Sequence, residues 1–243
     1  GGGITLDGYG NEWAVLIRNG TDLITNGGPL NLLGSTRQGG AGAGLFLRQS
    51  HYQWWGSSAS YTGLSSDTDL TIRFDKYNFG GVTPKIATSG DVLWQSFAPT
   101  FGHDVSSDWF NWNQNGKTMA SLTIGKPTNT TRAVHINGSA QVAGVNINVA
   151  GPITVYGSEV NVSSPLTITG NGDIFMQGFS NTNSSVTIYS PIRKTGGGDA
   201  TITLKSNQRL NTNSNITASG AGTGKLNMIF WSDADGTRNG GVS

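Results

Sequence analysis

Apolar residues in this chain recur at every second position in short bursts and never settle into a helical period. Val186 and Ile188, Ile202 and Leu204, and Leu226, Met228 and Phe230 show the pattern near the C-terminus. Alternation at period two predicts half-buried β-strands, and the intervening Gly, Asn, Ser and Thr predict the turns. Further runs extend through the first half of the chain at Ile4 to Leu6, Val15 to Ile17, Leu30 to Leu33, Leu45 to Leu47, Leu70 to Phe74, Val92 to Trp94 and Leu122 to Ile124. They continue at Val134 to Ile136, Val145 to Val149, Ile153 to Val155, Val160 to Val162, Leu166 to Ile168 and Ile174 to Met176. No segment keeps an apolar face at i, i+3, i+4 and i+7 without Gly or β-branched interruption, so no helix of useful length is predicted.

Two interleaved series suggest how the strands are arranged. Ile136, Val155 and Phe175 follow one another at about twenty residues, as do Ile147, Ile168 and Ile188. A step of that size predicts a coil whose successive turns stack about 4.8 Å apart, each strand pairing in parallel with its counterpart one turn later. The predicted fold is an all-β, right-handed parallel β-helix, with a β-sandwich as the alternative. Residues 131–243 read as the regular coil. Residues 1–130 read as a β-rich region that is part of the coil or a cap on it. Two aromatic-rich stretches, about 50–61 and 94–112, interrupt the rhythm and hold five of the seven Trp. They are expected to project from the coil or to cover one face or end of it.

Composition narrows the function. Glycine stands at 37 of 243 residues and hydrophobic residues at only 35%, which favours a thin core repeated many times over one thick core. Charged residues make up 12% and the formal net charge is +1, so no basic stripe in sequence suits nucleic acid. Cysteine is absent, as suits a chain that crosses an oxidising compartment before folding. No apolar run reaches the length of a membrane span, and no signal peptide is seen. The chain opens at Gly1 rather than Met and reads as an excised or processed segment.

Chemistry-bearing residues are sparse. His103, Asp104 and Asp108 lie close together, but the adjacent Ser106 and Ser107 carry no nucleophile-elbow signature, and a polar loop is the better reading. Asp67, Asp69, Asp75, Asp91, Glu159, Asp173 and Asp199 are too scattered to nominate a carboxylate pair for glycosidic chemistry. Asp233-Ala234-Asp235-Gly236 resembles half of a calcium loop, yet the later bidentate Glu is missing and Asp-Gly is ordinary turn chemistry. No metal, cofactor or catalytic residue is predicted. The candidate ligand-binding residues are Trp54, Trp55, Trp109 and Trp112, whose rings could stack on sugars, with core packing as the competing role. The Asn-x-Ser/Thr triplets at Asn19, Asn129, Asn137, Asn161, Asn183 and Asn215 are no more frequent than this composition gives by chance.

One C-terminal phrase is more specific. A strand is followed by Ser190-Pro191-Ile192, then Thr195-Gly196-Gly197-Gly198, then Ile202 to Leu204, Leu210, Asn215-Ile216 and Leu226-Asn227-Met228. It ends on Asp233-Ala234-Asp235-Gly236 before Gly240-Gly241. This phrase resembles the filamentous-haemagglutinin-like exoproteins and adhesins of bacterial two-partner secretion. The resemblance covers the last quarter well, Val134 to Gly178 loosely and the first 130 residues in style alone. No Asn-Pro dipeptide occurs, so the chain is not that family's secretion domain or is an unusual version of it. The resemblance implies an interior β-helix segment of a secreted, cell-surface adhesin or filament, without enzymatic activity. It implies export by an outer-membrane transporter and a host or bacterial surface receptor or glycan as partner, and it raises self-assembly into fibres. Two other functions are compatible with the same coil: a stalk or receptor-binding region of a contact-dependent inhibition protein, and a polysaccharide-degrading β-helix enzyme or tailspike.

Overall fold

The computed structural model describes residues 2–10, 13–18, 22–25, 27–36, 43–48, 63–66, 68–78, 85–110, 112–113, 116–137, 147–182, 184–220, 222–237 and 241–242. The chain begins with β1 (Ile4–Gly10), β2 (Trp13–Arg18) and β3 (Asp22–Thr25). Then come β4 (Leu30–Thr36), β5 (Ala43–Arg48), β6 (Gly63–Ser66), β7 (Leu70–Phe74), β8 (Tyr77–Asn78) and β9 (Lys85–Thr88). The middle holds β10 (Asp91–Gln95), β11 (Val105–Ser106), β12 (Ser121–Ile124), β13 (Val134–Ile136) and β14 (Ile147–Val149). It is followed by β15 (Ile153–Gly157), β16 (Val160–Val162), β17 (Leu166–Ile168), β18 (Ile174–Gly178), β19 (Ser184–Ile188) and β20 (Ile192–Lys194). The chain closes with β21 (Ala200–Ser206), β22 (Arg209–Thr212), β23 (Ile216–Ala218), β24 (Leu226–Trp231) and β25 (Gly241–Val242).

These strands form a parallel β-solenoid. One nine-stranded sheet runs in the order β1-β4-β7-β10-β12-β15-β18-β21-β24 without a break. A six-stranded sheet (β11-β13-β16-β19-β22-β25) and a four-stranded sheet (β14-β17-β20-β23) form the other walls of the second half. The first half has two three-stranded walls, β2-β5-β8 and β3-β6-β9. Every strand pair among the described residues is parallel, from β1 on β4 to β22 on β25. The β-sandwich alternative is thereby excluded, because its strands pair antiparallel.

Each inward residue of the long sheet sits on its counterpart one turn away. One row runs Leu30, Leu70, Val92, Leu122, Ile153, Ile174 and Ile202, and every member is at most 1% exposed. A second row runs Leu32, Ile72, Trp94, Ile124, Val155, Met176 and Leu204. Burying each such side chain contributes about 1.5–3 kcal/mol, so stability accumulates turn by turn. On β24 the same positions are open: Met228 is 54% and Phe230 37% exposed.

The step of about twenty residues does not describe this stacking. The turn is 21 residues long from Ile153 to Ile174 and 40 from Leu30 to Leu70. Ile136 belongs to the six-stranded sheet, where it stacks on Val162, while Phe175 points outward from the long sheet against the Tyr156 ring. Ile147 stacks on Leu166, Ile168 lies between Val149 and Lys194, and Ile188 stacks on Val162. The stretches between strands differ in length from turn to turn, so spacing in sequence drifts while spatial register holds.

Glycine has a specific place in this packing. At the corner leading into the long sheet, Gly90 lies on the Thr68 backbone, Gly151 on Ala120, Gly172 on Gly151, Gly197 on Gly170 and Gly224 on Gly198. In each case an added Cβ would fall far inside contact distance of backbone one turn away. Gly197 also has a positive φ of 70°. The Thr195-Gly196-Gly197-Gly198 phrase is thus a corner in which backbone stacks directly on backbone.

Candidate functional site

The aromatic stretch from Trp94 to Trp112 is not a projection. It folds into the solenoid as a wedge that widens the core of one turn. Trp94, Phe101, Phe110 and Trp112 are each at most 1% exposed. The Trp94 and Phe110 centroids lie 5.0 Å apart edge to face, and Phe110 and Trp112 lie 5.3 Å apart. The Trp112 Nε1–H donates to the Ser107 carbonyl at 2.7 Å, satisfying the one polar atom of the buried ring. Ser107–Trp109 forms a 3-10 turn that brings this carbonyl inward. A ring enclosed in this way has no face free for a sugar, so of the candidate tryptophans Trp112 is core. Trp109 closes the 3-10 turn with its backbone, and its side chain lies outside the described residues, as do Trp54 and Trp55.

Five aspartates share one structural device, while Asp67 lies outside the described residues. Asp69, Asp75, Asp104, Asp173 and Asp199 each accept a hydrogen bond, through Oδ1, from a backbone N–H one turn further along. The donors are Asp91 at 3.0 Å, Ala98 at 2.6 Å, Ala133 at 2.9 Å, Thr201 at 2.7 Å and Lys225 at 2.7 Å. These sites flank the strands, where the sheet ladder breaks and a backbone donor would otherwise lack a protein partner. A carboxylate is a strong acceptor for such an N–H, so each Asp clamps two adjacent turns in register. Asp91 extends the device by accepting from the Ser121 hydroxyl at 2.6 Å. Buried Asn129 does similar work across three turns. Its Oδ1 accepts from Phe101 N at 3.3 Å, and its Nδ2 donates to the carbonyls of Arg132 at 3.2 Å and Tyr156 at 2.9 Å.

The Asp233–Gly236 segment is a closed turn. Gly236 N donates to the Asp233 carbonyl at 3.0 Å, and the Thr237 hydroxyl donates to Asp235 Oδ1 at 3.0 Å. Asp233 and Gly236 both take positive φ, 58° and 74°. Among the described residues no group of three or more His, Cys, Asp or Glu is placed to hold a metal ion. Among the described residues one cation is buried in the core. Lys194 is 1% exposed, and its ammonium donates to the carbonyls of Gly170, at 3.0 Å, and Gly196.

The structure does assemble a cluster that the sequence conceals. Lys76, His103 and Arg132 follow strands of three successive turns and meet at the corner between the long and six-stranded sheets. Burial, together with the neighbouring Arg132 and Lys76 charges, holds His103 below its usual basicity, with Asp104 opposing them. Arg73 lies alongside, its guanidinium 4.6 Å over the Phe97 ring, and the Lys126 ammonium donates to the Ser96 and Phe97 carbonyls at 3.1 and 3.0 Å. Burial, followed by the Arg73 charge, lowers the Lys126 pKa, with Asp75 opposing. The signal that could have revealed the cluster is a basic residue recurring about once per turn, and it is readable only once the register is known. No protein-family model, curated protein or solved structure matches the chain.

Proposed function

We propose that this chain is a non-enzymatic segment of a large secreted, cell-surface adhesin or filament, acting as a rigid β-helical stalk. The observation that carries this reading is the unbroken nine-stranded parallel sheet with in-register apolar rows. At ~4.8 Å per strand the sheet rises roughly 38 Å along its axis. Hydrogen bonds between turns run along that axis, and the aspartate clamps reinforce them. A load applied along it is shared by every strand pair of a turn, which is the property a stalk needs. The lack of cysteine and the resemblance of Ser190–Gly241 to two-partner secretion exoproteins support an exported chain. On this reading its partners are an outer-membrane transporter during export and a host or bacterial surface receptor or glycan afterwards.

Single-molecule pulling along the axis tests the mechanical part. The expected record is a series of force peaks, each releasing about one turn. Extension at low force without peaks contradicts the stalk. A glycan panel assayed for reducing ends tests the absence of catalysis, since turnover that disappears on Asp→Ala substitution would instead identify a polysaccharide-degrading enzyme. Export coupled to folding requires spontaneous refolding after dilution from denaturant, and failure to refold would remove that part of the account.

A further inference from the structure

We propose that the outer face of β15, β18, β21 and β24 is a binding platform for a neutral, linear polysaccharide lying along the solenoid axis. Tyr156, Phe175 and Trp231 stack on sugar rings, and Gln177 and Thr203 hydrogen-bond to sugar hydroxyls. Such a platform rests on the adhesin reading and names its partner's chemistry, yet binding can fail the test below while the pulling record stands.

The register lays these side chains in two rows. Val155, Met176 and Leu204 point into the core, so their neighbours on either side along each strand face outward. Thr154, Phe175, Thr203 and Ile229 are successive partners on the four strands, and so are Tyr156, Gln177, Lys205 and Trp231. At ~4.8 Å per strand, Tyr156 and Trp231 stand roughly 14 Å apart along the axis. Phe175 lies between them in the neighbouring row, its ring centroid 5.6 Å from that of Tyr156.

This strip is costly to leave in water. Ile229 is 50% and Trp231 52% exposed, although both belong to a strand whose backbone is paired. Contiguous exposed apolar surface of this kind marks a binding face. Pairing across strands accounts for Tyr156 against Phe175. The Lys205 ammonium lies 4.7 Å from the Trp231 ring centroid and fixes the orientation of the indole, leaving half of the residue to solvent.

Charge and hydrogen bonding select the partner. The outward side chains of these four strands include no carboxylate and a single cation, Lys205. A polycation would find no counter-charge here and a polyanion only one, so charge complementarity favours a neutral chain. The rings are interleaved with polar groups. Among the described residues, the side chains of Thr154, Tyr156, Gln177 and Thr203 donate no hydrogen bond to the protein. Beneath a purely apolar partner those donors would be buried unpaired, at a cost in free energy. A neutral sugar offers an apolar C–H face to the rings and a rim of hydroxyls to the donors. The unbroken sheet extends this surface along the axis, as a linear chain requires.

The test is calorimetric titration of the whole chain with cellohexaose, xylohexaose and N-acetyl-chitohexaose, with hexagalacturonate as the acidic arm. Expected are saturable binding of at least one neutral hexasaccharide, weaker binding of hexagalacturonate, and about three- to tenfold weaker binding in Trp231→Ala or Tyr156→Ala. Tyr189→Ala removes an exposed ring that follows β19 on a different wall, and it is expected to keep full affinity. Unchanged thermal melting of the variants establishes that the fold is kept. Should Tyr156→Ala or Trp231→Ala melt early, Phe175→Leu, which keeps an apolar side chain but removes the ring, takes its place with the same expected loss. Absence of saturable binding to any neutral hexasaccharide, full affinity in the Tyr156→Ala/Trp231→Ala double variant, or an equal loss in Tyr189→Ala overturns the proposal. Binding of hexagalacturonate as tight as that of the best neutral sugar overturns the assignment to a neutral chain.

Discussion

Asp173 Oδ1 accepts a hydrogen bond from the backbone N–H of Thr201 at 2.7 Å, one full turn further along the coil. The carboxylate stands just before β18 and its donor lies near the start of β21, so the bond fixes which residues of the two strands oppose each other. Asp173→Ala removes the acceptor and leaves the donor to solvent. The expected loss is about 1 kcal/mol, with Asp173→Asn losing less because an amide oxygen still accepts. In a chain of this size that loss lowers Tm by roughly 2–4 °C. Equilibrium denaturation of the two variants checks it, and no difference between them would show that Asp173 does not act through its acceptor.

Gly172 packs against the Gly151 backbone with no room for a methyl group. Gly172→Ala forces adjacent turns apart and costs about 1–3 kcal/mol. Gly241→Ala meets nothing within 4 Å and leaves stability unchanged. A pair of thermal melts checks the contrast.

Trp112→Ala empties the middle of a closed aromatic cluster and destabilises the fold by about 3–5 kcal/mol. Trp112→Phe keeps most of the volume but removes one of the two donors to the Ser107 carbonyl, the Phe110 N–H remaining, and costs about 0.5–1.5 kcal/mol. Denaturation curves followed by near-ultraviolet circular dichroism check both values. A Trp112→Ala chain with native stability would show the ring is not core.

His103 gives the stability a pH dependence of defined sign. Its folded pKa lies below the unfolded 6.5 because of burial and of the Arg132 and Lys76 charges. As pH falls below 6.5 the unfolded chain takes up this proton before the native one, so the native state loses stability until the folded pKa is passed. Above 6.5 the contribution is constant. His103→Gln flattens this segment of the profile, and urea denaturation at pH 5 and pH 7.5 measures the difference.

How much of this was legible in the sequence depends on how local the signal is. Alternation at period two is local, and runs such as Leu70 to Phe74 and Ile174 to Met176 are strands as expected. Asp22–Thr25 and Gly63–Ser66 are strands with too few apolar residues to announce themselves. Stacking is not local. Ile136, Val155 and Phe175 fall at even intervals yet lie on different sheets or faces, because corner length, not strand pattern, sets the turn. The aromatic run near Trp112 carries no periodic signal to separate a wedge in the core from a projection. The acids and bases look scattered for the same reason: Asp173 and Thr201, or His103 and Arg132, become neighbours only through the register.

That register is best tested by disulfide trapping, since the chain has no cysteine of its own. Phe175 and Thr203 are paired on adjacent strands, and both point away from the core. Their Cα atoms are therefore about 4.8 Å apart, within disulfide range. Thr154 and Thr203 face the same way but are two strands apart, about 9.6 Å, beyond that range. Mild oxidation of the folded chain is predicted to cross-link Phe175→Cys/Thr203→Cys in full and to leave Thr154→Cys/Thr203→Cys reduced. A reduced 175–203 pair, or a 154–203 cross-link formed in its place, would contradict the stacked parallel solenoid.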